Sequence, residues 1–197
     1  MNKALIIITT LLGIILITVA GIYNNQINND ENANKSWGDV EATYQRRADL
    51  IPSLVETVKG YAAHEKETLQ AVTEARQQVT NIQAEIGTAG ELDAAAMQKL
   101  VGAQEQMSSA LSRLLVTVEK YPDLKANQNF LDLQHQLEGT ENRINVARQR
   151  YNADVAALNK SVRGILGRMV SGMSGVNVRQ SFEATAGSEI APKVSFQ

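Results

Sequence analysis

The residues of this sequence best suited to chemistry are charged side chains that lie beside apolar stripes. Glu141 and Arg148 each follow an apolar heptad position by four residues, so they share one flank of a predicted helix. They are seven residues apart, about 10.5 Å along the axis, which is too far for direct contact. Their partners must therefore come from other helices, where the candidates are Arg46, Arg47, Asp49 and Arg76.

These charges admit three interpretations. They form a solvated flank with extended side chains, or ion pairs that stabilise the interior, or a site that binds a ligand or catalyses a reaction. The residue types alone do not decide between the three. The candidate binding residues are Arg46, Asp49, Arg76, Glu141 and Arg148.

Complete catalytic motifs are not found in the sequence. His64-Glu65 resembles the start of the helix motif of zinc proteases, but Thr68 stands where the second histidine is needed. The other histidine is His135, and the chain has no Cys. No phosphate-binding loop, nucleophile elbow or dinucleotide fingerprint occurs. We therefore predict a protein that is not an enzyme, with no catalytic residue, metal ligand or cofactor.

The first thirty residues contain a predicted membrane anchor. Residues 4–23 are apolar or small, and at about 1.5 Å per residue they span roughly 30 Å, the thickness of a bilayer core. A signal peptide has a shorter apolar region and a better cleavage site than Thr18-Val19-Ala20. The sequence thus predicts a single-pass protein of the plasma membrane, which contacts the lipid bilayer through residues 4–23.

The rest of the chain has the composition and spacing of long helices. It contains 3 Pro and 5% aromatic residues, and its net charge of -2 gives no basic patch for nucleic acid. Apolar stripes predict a short helix that ends before Pro52, a second that starts there, a third over 96–118, and a fourth with a heptad from Phe130 to Ile165. The predicted fold is all-α: a transmembrane helix, then an antiparallel up-and-down four-helix bundle with coiled-coil-like packing.

This pattern divides the chain into three parts. Residues 1–29 are the membrane anchor with an Asn-rich collar, 30–171 the helical bundle, and 172–197 a Gly/Ser-rich tail. Glycines 164, 167, 172 and 175 predict that the last helix frays near 169–171. The tail is expected to be flexible, although docking through Phe182 and Phe196 is the alternative.

Two signature-like regions of the sequence resemble the LemA family of bacterial membrane proteins. The first contains RRADLIPSLV at 46–55, ETVKGYAAHE at 56–65 and EAR at 74–76; the second contains YPDLKANQNFLDLQ at 121–134 and TENRINVARQRYN at 140–152. Ser53 departs from the Asn that is common in the family. The resemblance implies a transmembrane helix followed by a bundle and supplies no reaction. It implies an N-terminus outside the cell, whereas the few flanking Lys and Arg residues favour a cytoplasmic one, so both sides stay open.

The leading functional hypothesis is a non-enzymatic protein of the bacterial envelope whose bundle binds a partner protein or acts as a scaffold. One alternative is a receptor or enzyme that uses the charged residues beside the apolar stripes. Another is a self-associating protein that organises membranes. An enzyme needs a concave site with perturbed groups, a scaffold needs an exposed binding face, and an organiser needs a self-complementary surface.

Overall fold

The computed structural model describes residues 3–89 and 93–183 of the chain. In these residues all regular structure is helical, which confirms the all-α fold class. Six helices follow one another within the described ranges: α1 Lys3–Lys59, α2 Lys66–Ala89, α3 Ala94–Val118, α4 Pro122–Lys125, α5 Gln128–Arg163 and α6 Ile165–Ser174.

The first helix joins the predicted anchor to the bundle without a break. Its first part exposes its large apolar side chains, and it is the one helix of the described residues long and apolar enough to cross a membrane. The predicted helix break at Pro52 is wrong, because α1 continues through this proline to Lys59. The Asn-rich stretch is also helical, and within it Gln26 and Ala33 are buried. The chain turns instead between Gly60 and Glu65.

The long helices form an antiparallel bundle. α1 and α5 run in opposite directions, since Gln26 at one end of α1 lies beside Ser161 and Arg47 further along lies beside Glu141. α2 pairs with α3, and the side chains of Asp93 and Asn127 cap α3 and α5 by accepting hydrogen bonds from backbone N–H groups. The predicted apolar helix followed by a bundle is thereby confirmed.

Two hydrophobic clusters form the interior of the bundle. The distal cluster lies away from the apolar start of α1 and includes Ile51, Leu54, Met107, Leu114 and Phe130. The proximal cluster lies nearer to it and includes Val40, Tyr44, Leu100, Ile144 and Tyr151. On α1, Arg47 lies between the residues of the two clusters.

The end of the bundle differs from the expectation in two respects. α5 ends at Arg163, and after Gly164 the separate helix α6 runs to Ser174 without fraying at 169–171. The heptad therefore ends at Leu158, and Ile165 is 86% exposed instead of occupying the seam.

The described part of the tail after α6 packs against the bundle. Residues 175–183 run back along α5, where Asn159 exchanges two hydrogen bonds with the backbone of Arg179 and Asn152 exchanges two with that of Phe182. Phe182 is buried against Trp37 and Tyr151. Docking through Phe182, the alternative considered above, is what the structure shows, while Phe196 lies outside the described residues.

Candidate functional site in the bundle interior

A polar layer separates the two hydrophobic clusters. Its centre is Arg47, whose side chain is 3% exposed and whose guanidinium donates to three side chains. Nη1 donates to Glu141 Oε2 at 2.6 Å and to Ser108 Oγ at 3.2 Å, and Nη2 donates to Gln104 Oε1. The layer thus joins α1, α3 and α5 through one buried cation.

The polar layer has unused hydrogen-bonding capacity. Among the described residues, Tyr44 Oη, Arg47 Nε and Gln104 Nε2 are buried and make no protein hydrogen bond. Burial lowers the pKa of the Arg47 guanidinium, and the Glu141 carboxylate opposes this shift. Burial likewise raises the pKa of the Tyr44 hydroxyl. Such donors suit ordered water or a small ligand with acceptor oxygens.

Of the five predicted site residues, the structure brings Glu141 into the polar layer and places Arg148 close enough for its positive charge to act on Tyr44 and Arg47. Arg46 and Asp49 are exposed, and Asp49 accepts a hydrogen bond from Gln45 at 2.7 Å. The Arg148 guanidinium lies 4.5 Å from the centre of the Phe182 ring, where a cation–π contact helps to hold the tail. The five residues therefore do not converge on one site.

The remaining predicted site residue, Arg76, compensates for the proline in α1. Pro52 has no N–H, so the carbonyl of Ala48, four residues earlier, lacks its normal helical partner. Arg76 Nε on α2 donates to this carbonyl at 2.8 Å. The role of Arg76 visible here is structural: it satisfies a buried acceptor and lets α1 pass through Pro52.

The sequence interpretation missed Tyr44 and Gln104 as members of the layer, and it named Arg47 only as a possible partner. A signal for Arg47 was present, because it lies three residues after Tyr44 and four before Ile51, on the buried stripe. Gln104 likewise lies four residues after buried Leu100. The sequence signal of the layer was therefore a polar residue within the apolar stripe of each of two helices.

The distal end of the bundle carries a second group of polar contacts. Tyr121 donates to Glu65 Oε1 at 3.0 Å, and Asn127 Nδ2 donates to the Tyr61 hydroxyl, also at 3.0 Å. These bonds tie the α1–α2 connection to the α3–α4 connection and to the start of α5. Tyr61 is nevertheless 47% exposed, so its ring is fixed and accessible.

No group of three or more potential metal-ligating side chains occurs within residues 3–89 and 93–183. An open cavity of about 440 Å³ lies between α5 and the tail, lined by Asn152, Val155, Ala156, Asn159, Lys160, Arg163 and Ser181. Two asparagines of its lining are already bonded to the tail backbone. The polar layer therefore remains the principal candidate for a ligand site.

Fold and site together define a class of protein: an all-helical bundle with a buried polar layer, carried on one candidate membrane-spanning helix. Within that class the chain belongs to the LemA family, whose profile it matches over residues 36–196.

Two related proteins carry different names. The chain is 23% identical over 151 residues to Protein LemA of Metamycoplasma hominis, an alignment that covers 77% of this chain and 64% of that protein. It is 28% identical over 156 residues to Magnetosome protein MamQ of Magnetospirillum gryphiswaldense, which covers 71% of this chain and 57% of that protein. The chain thus spans about three fifths of the length of these relatives. Neither name assigns a reaction.

Proposed function

We propose that this protein is a non-enzymatic scaffold of the bacterial plasma membrane, anchored once through residues 4–23, whose bundle binds a partner protein at its distal end. The observation that carries this proposal is the continuity of α1 from the apolar segment into the bundle interior. From Tyr23 to Lys59 the helix rises about 54 Å at 1.5 Å per residue. One unbroken helix therefore holds the distal end at a set height above the bilayer.

The distal end has the features of a protein-binding surface. Tyr61 is fixed by Asn127 and half exposed, and a fixed aromatic ring with a polar tip is a common anchor in interfaces. Charged pairs lie close to it along the chain: Lys59, two residues before Tyr61, is beside Glu56 at 3.7 Å, and Lys125, two residues before Asn127, is beside Glu119 at 2.5 Å. An aromatic centre with a charged rim resembles the usual anatomy of a transient interface.

Photocrosslinking in intact membranes tests this proposal. A photoreactive amino acid replaces Tyr61 in the full-length chain, and matched controls carry it at Val146 and Val178, which are 56% and 50% exposed away from the distal end. We expect one discrete adduct with another protein at position 61 and none of that size at the controls. Excess untagged chain should suppress the adduct by competition.

Two outcomes of this experiment contradict the proposal. Equal adducts at all three positions indicate non-specific contact. Adducts of twice the mass of the chain favour the self-associating membrane organiser instead of a scaffold for another protein.

A ligand receptor built on the polar layer is the second candidate, and the unpaired atoms of Tyr44, Arg47 and Gln104 favour it. Glu141→Gln keeps the shape of the side chain but removes its charge. Glu141 is 49% exposed, so water replaces part of the lost contact, and we expect a stability cost of about 1–2 kcal/mol, between the values for exposed and buried pairs.

The receptor and the scaffold give different results for Glu141→Gln. Under the scaffold proposal the crosslink at position 61 persists at temperatures where the variant is folded. Under the receptor hypothesis the stability cost is the same, but capture of the ligand is lost even at temperatures where the variant is folded.

A further inference from the structure

Helix α6 packs against α1 next to the end of the apolar segment and is hydrogen-bonded to it. Gln26 is fully buried, and its Nε2 donates to the carbonyls of Gly167 at 2.8 Å and Ser161 at 3.3 Å. Its Oε1 accepts a hydrogen bond from Ser174 at 2.9 Å, so one side chain holds both ends of α6. Val170 is buried on the same side. The orientation of α6 relative to α1 is thereby fixed.

The outer face of α6 is strongly apolar. Ile165 is 86% exposed, Met169 72%, Met173 71% and Leu166 52%. At 100° per residue these four side chains occupy an arc of about 100°, separate from the face that contacts α1. Four large apolar side chains in one arc of a ten-residue helix form a contiguous patch that ordinary surfaces of soluble domains rarely show.

This apolar patch lies at the level where the membrane anchor ends. Gln26 is three residues after Tyr23, or about 4.5 Å further along α1. α5 runs toward this level and the tail runs back from it, so α6 is where the chain reverses. Val19 and Ile22, on the same face of α1 as Gln26, are partly buried while most of the apolar segment is exposed.

Basic side chains flank the patch. Lys160 and Arg163 are exposed near the end of α5, and Arg168 is exposed within α6. A helix with an apolar arc and adjacent Lys and Arg is typical of helices that lie in the plane of a membrane interface and contact anionic headgroups. The exposed apolar side chains of α1 provide continuity, because a bilayer around them extends to the level of α6.

From this arrangement we infer that α6 is an interfacial helix that inserts Ile165, Leu166, Met169 and Met173 into the headgroup and upper acyl region of an anionic bilayer. The inference rests on the anchoring part of the proposed function. It gives the bundle a second contact with the membrane beside α1, and two contacts fix the tilt of the bundle as well as its height.

Fluorescence quenching by labelled lipids tests the insertion of α6. The natural chain has no Cys, so Met169→Cys, Met173→Cys, Val146→Cys and Leu12→Cys each give one labelling site for an environment-sensitive dye. The full-length variants are reconstituted into two sets of vesicles of phosphatidylcholine and phosphatidylglycerol, one with a nitroxide on the upper part of the acyl chain and one with a nitroxide deep in the acyl chain. Val146 is the exposed control on the bundle, and Leu12 is the control within the anchor.

We expect dyes at 169 and 173 to lose most of their emission to the upper nitroxide, while the dye at 146 is unaffected. Replacing phosphatidylglycerol by phosphatidylcholine should weaken the quenching at 169, because the basic residues lose their anionic partners.

Three results overturn the inference. If 169 and 173 behave like 146 while 12 is quenched by deep nitroxides, the anchor is correct and α6 is not inserted. A blue-shifted dye at 169 without quenching indicates a protein occupant, such as a second copy of the chain. If 12 is not quenched at any depth, the anchor itself fails and the role of α6 fails with it.

Discussion

The contact between Arg76 and the Ala48 carbonyl predicts a thermodynamic coupling between Arg76 and Pro52. The proline removes the N–H that this carbonyl normally accepts from, and its ring displaces the carbonyl from the helix axis. Arg76 Nε supplies a donor at 2.8 Å, while Ala48 itself is fully buried. Arg76→Met therefore leaves a buried acceptor without a partner.

The magnitude of the coupling follows from the lost hydrogen bond. A hydrogen bond from a charged donor contributes about 1.5–3 kcal/mol, so Arg76→Met should lower the free energy of unfolding by that amount. In the Pro52→Ala background residue 52 regains its N–H, and the helix satisfies the Ala48 carbonyl without Arg76. The cost of Arg76→Met should then fall, which gives a coupling energy of about 1–2 kcal/mol.

Urea unfolding of the full-length chain in detergent micelles measures this coupling. The chain has 1 Trp, Trp37, whose fluorescence reports on the packing of the bundle. Arg113→Met, on the exposed side of α3, is the matched control and should change stability by less than about 0.5 kcal/mol in either background. An equal cost of Arg76→Met in both backgrounds would refute the proposed role of Arg76.

Three further predictions concern the tail, α6 and the interior. Phe182→Ala should shift the emission of Trp37 to the red, because the two rings stack at 6.2 Å; an unchanged spectrum would contradict tail docking. Gly167→Ala should release α6, since a Cβ there meets the Ser161 carbonyl, whereas Gly172→Ala has open space and should be tolerated; circular dichroism and proteolysis compare them. Burial raises the pKa of the Tyr44 hydroxyl above 10.0. The contribution of this hydroxyl to stability is therefore complete below pH 10.0 and is lost as the pH rises through the raised pKa. Tyr44→Phe should flatten the fall in unfolding free energy at alkaline pH.

The parts of the fold that depend on local pattern could be predicted from the sequence. The apolar segment and the stripes containing Val40, Leu100 and Ile144 follow from composition and from a repeat of 3.6 residues, which any segment carries within itself. Pro52 could not be predicted in the same way. Whether a helix tolerates a proline depends on a hydrogen-bond donor from another part of the chain. Here that donor is Arg76, on the next helix.

The members of the polar layer depend on how each helix is rotated about its axis, which the sequence does not specify. Arg46 and Arg47 are adjacent, and a turn of 100° places one in water and the other in the polar layer. The apolar stripe favoured Arg47, but its partners Gln104 and Glu141 required the packing of α1 against α3 and α5. The docked tail likewise needs Asn152 in position on α5, which no local composition indicates.

In the proposed function, α1 holds the distal end of the bundle at a set height above the membrane. Energy transfer from a donor dye at His64→Cys to acceptor lipids in vesicles measures this height in the full-length chain, which has no other Cys. The unbroken helix predicts a narrow distribution near 50 Å, from 1.5 Å per residue. Four glycines inserted between Tyr23 and Asn24 should broaden the distribution and lower the mean height. A broad distribution at less than half that height in the natural sequence, unchanged by the insertion, would contradict the account.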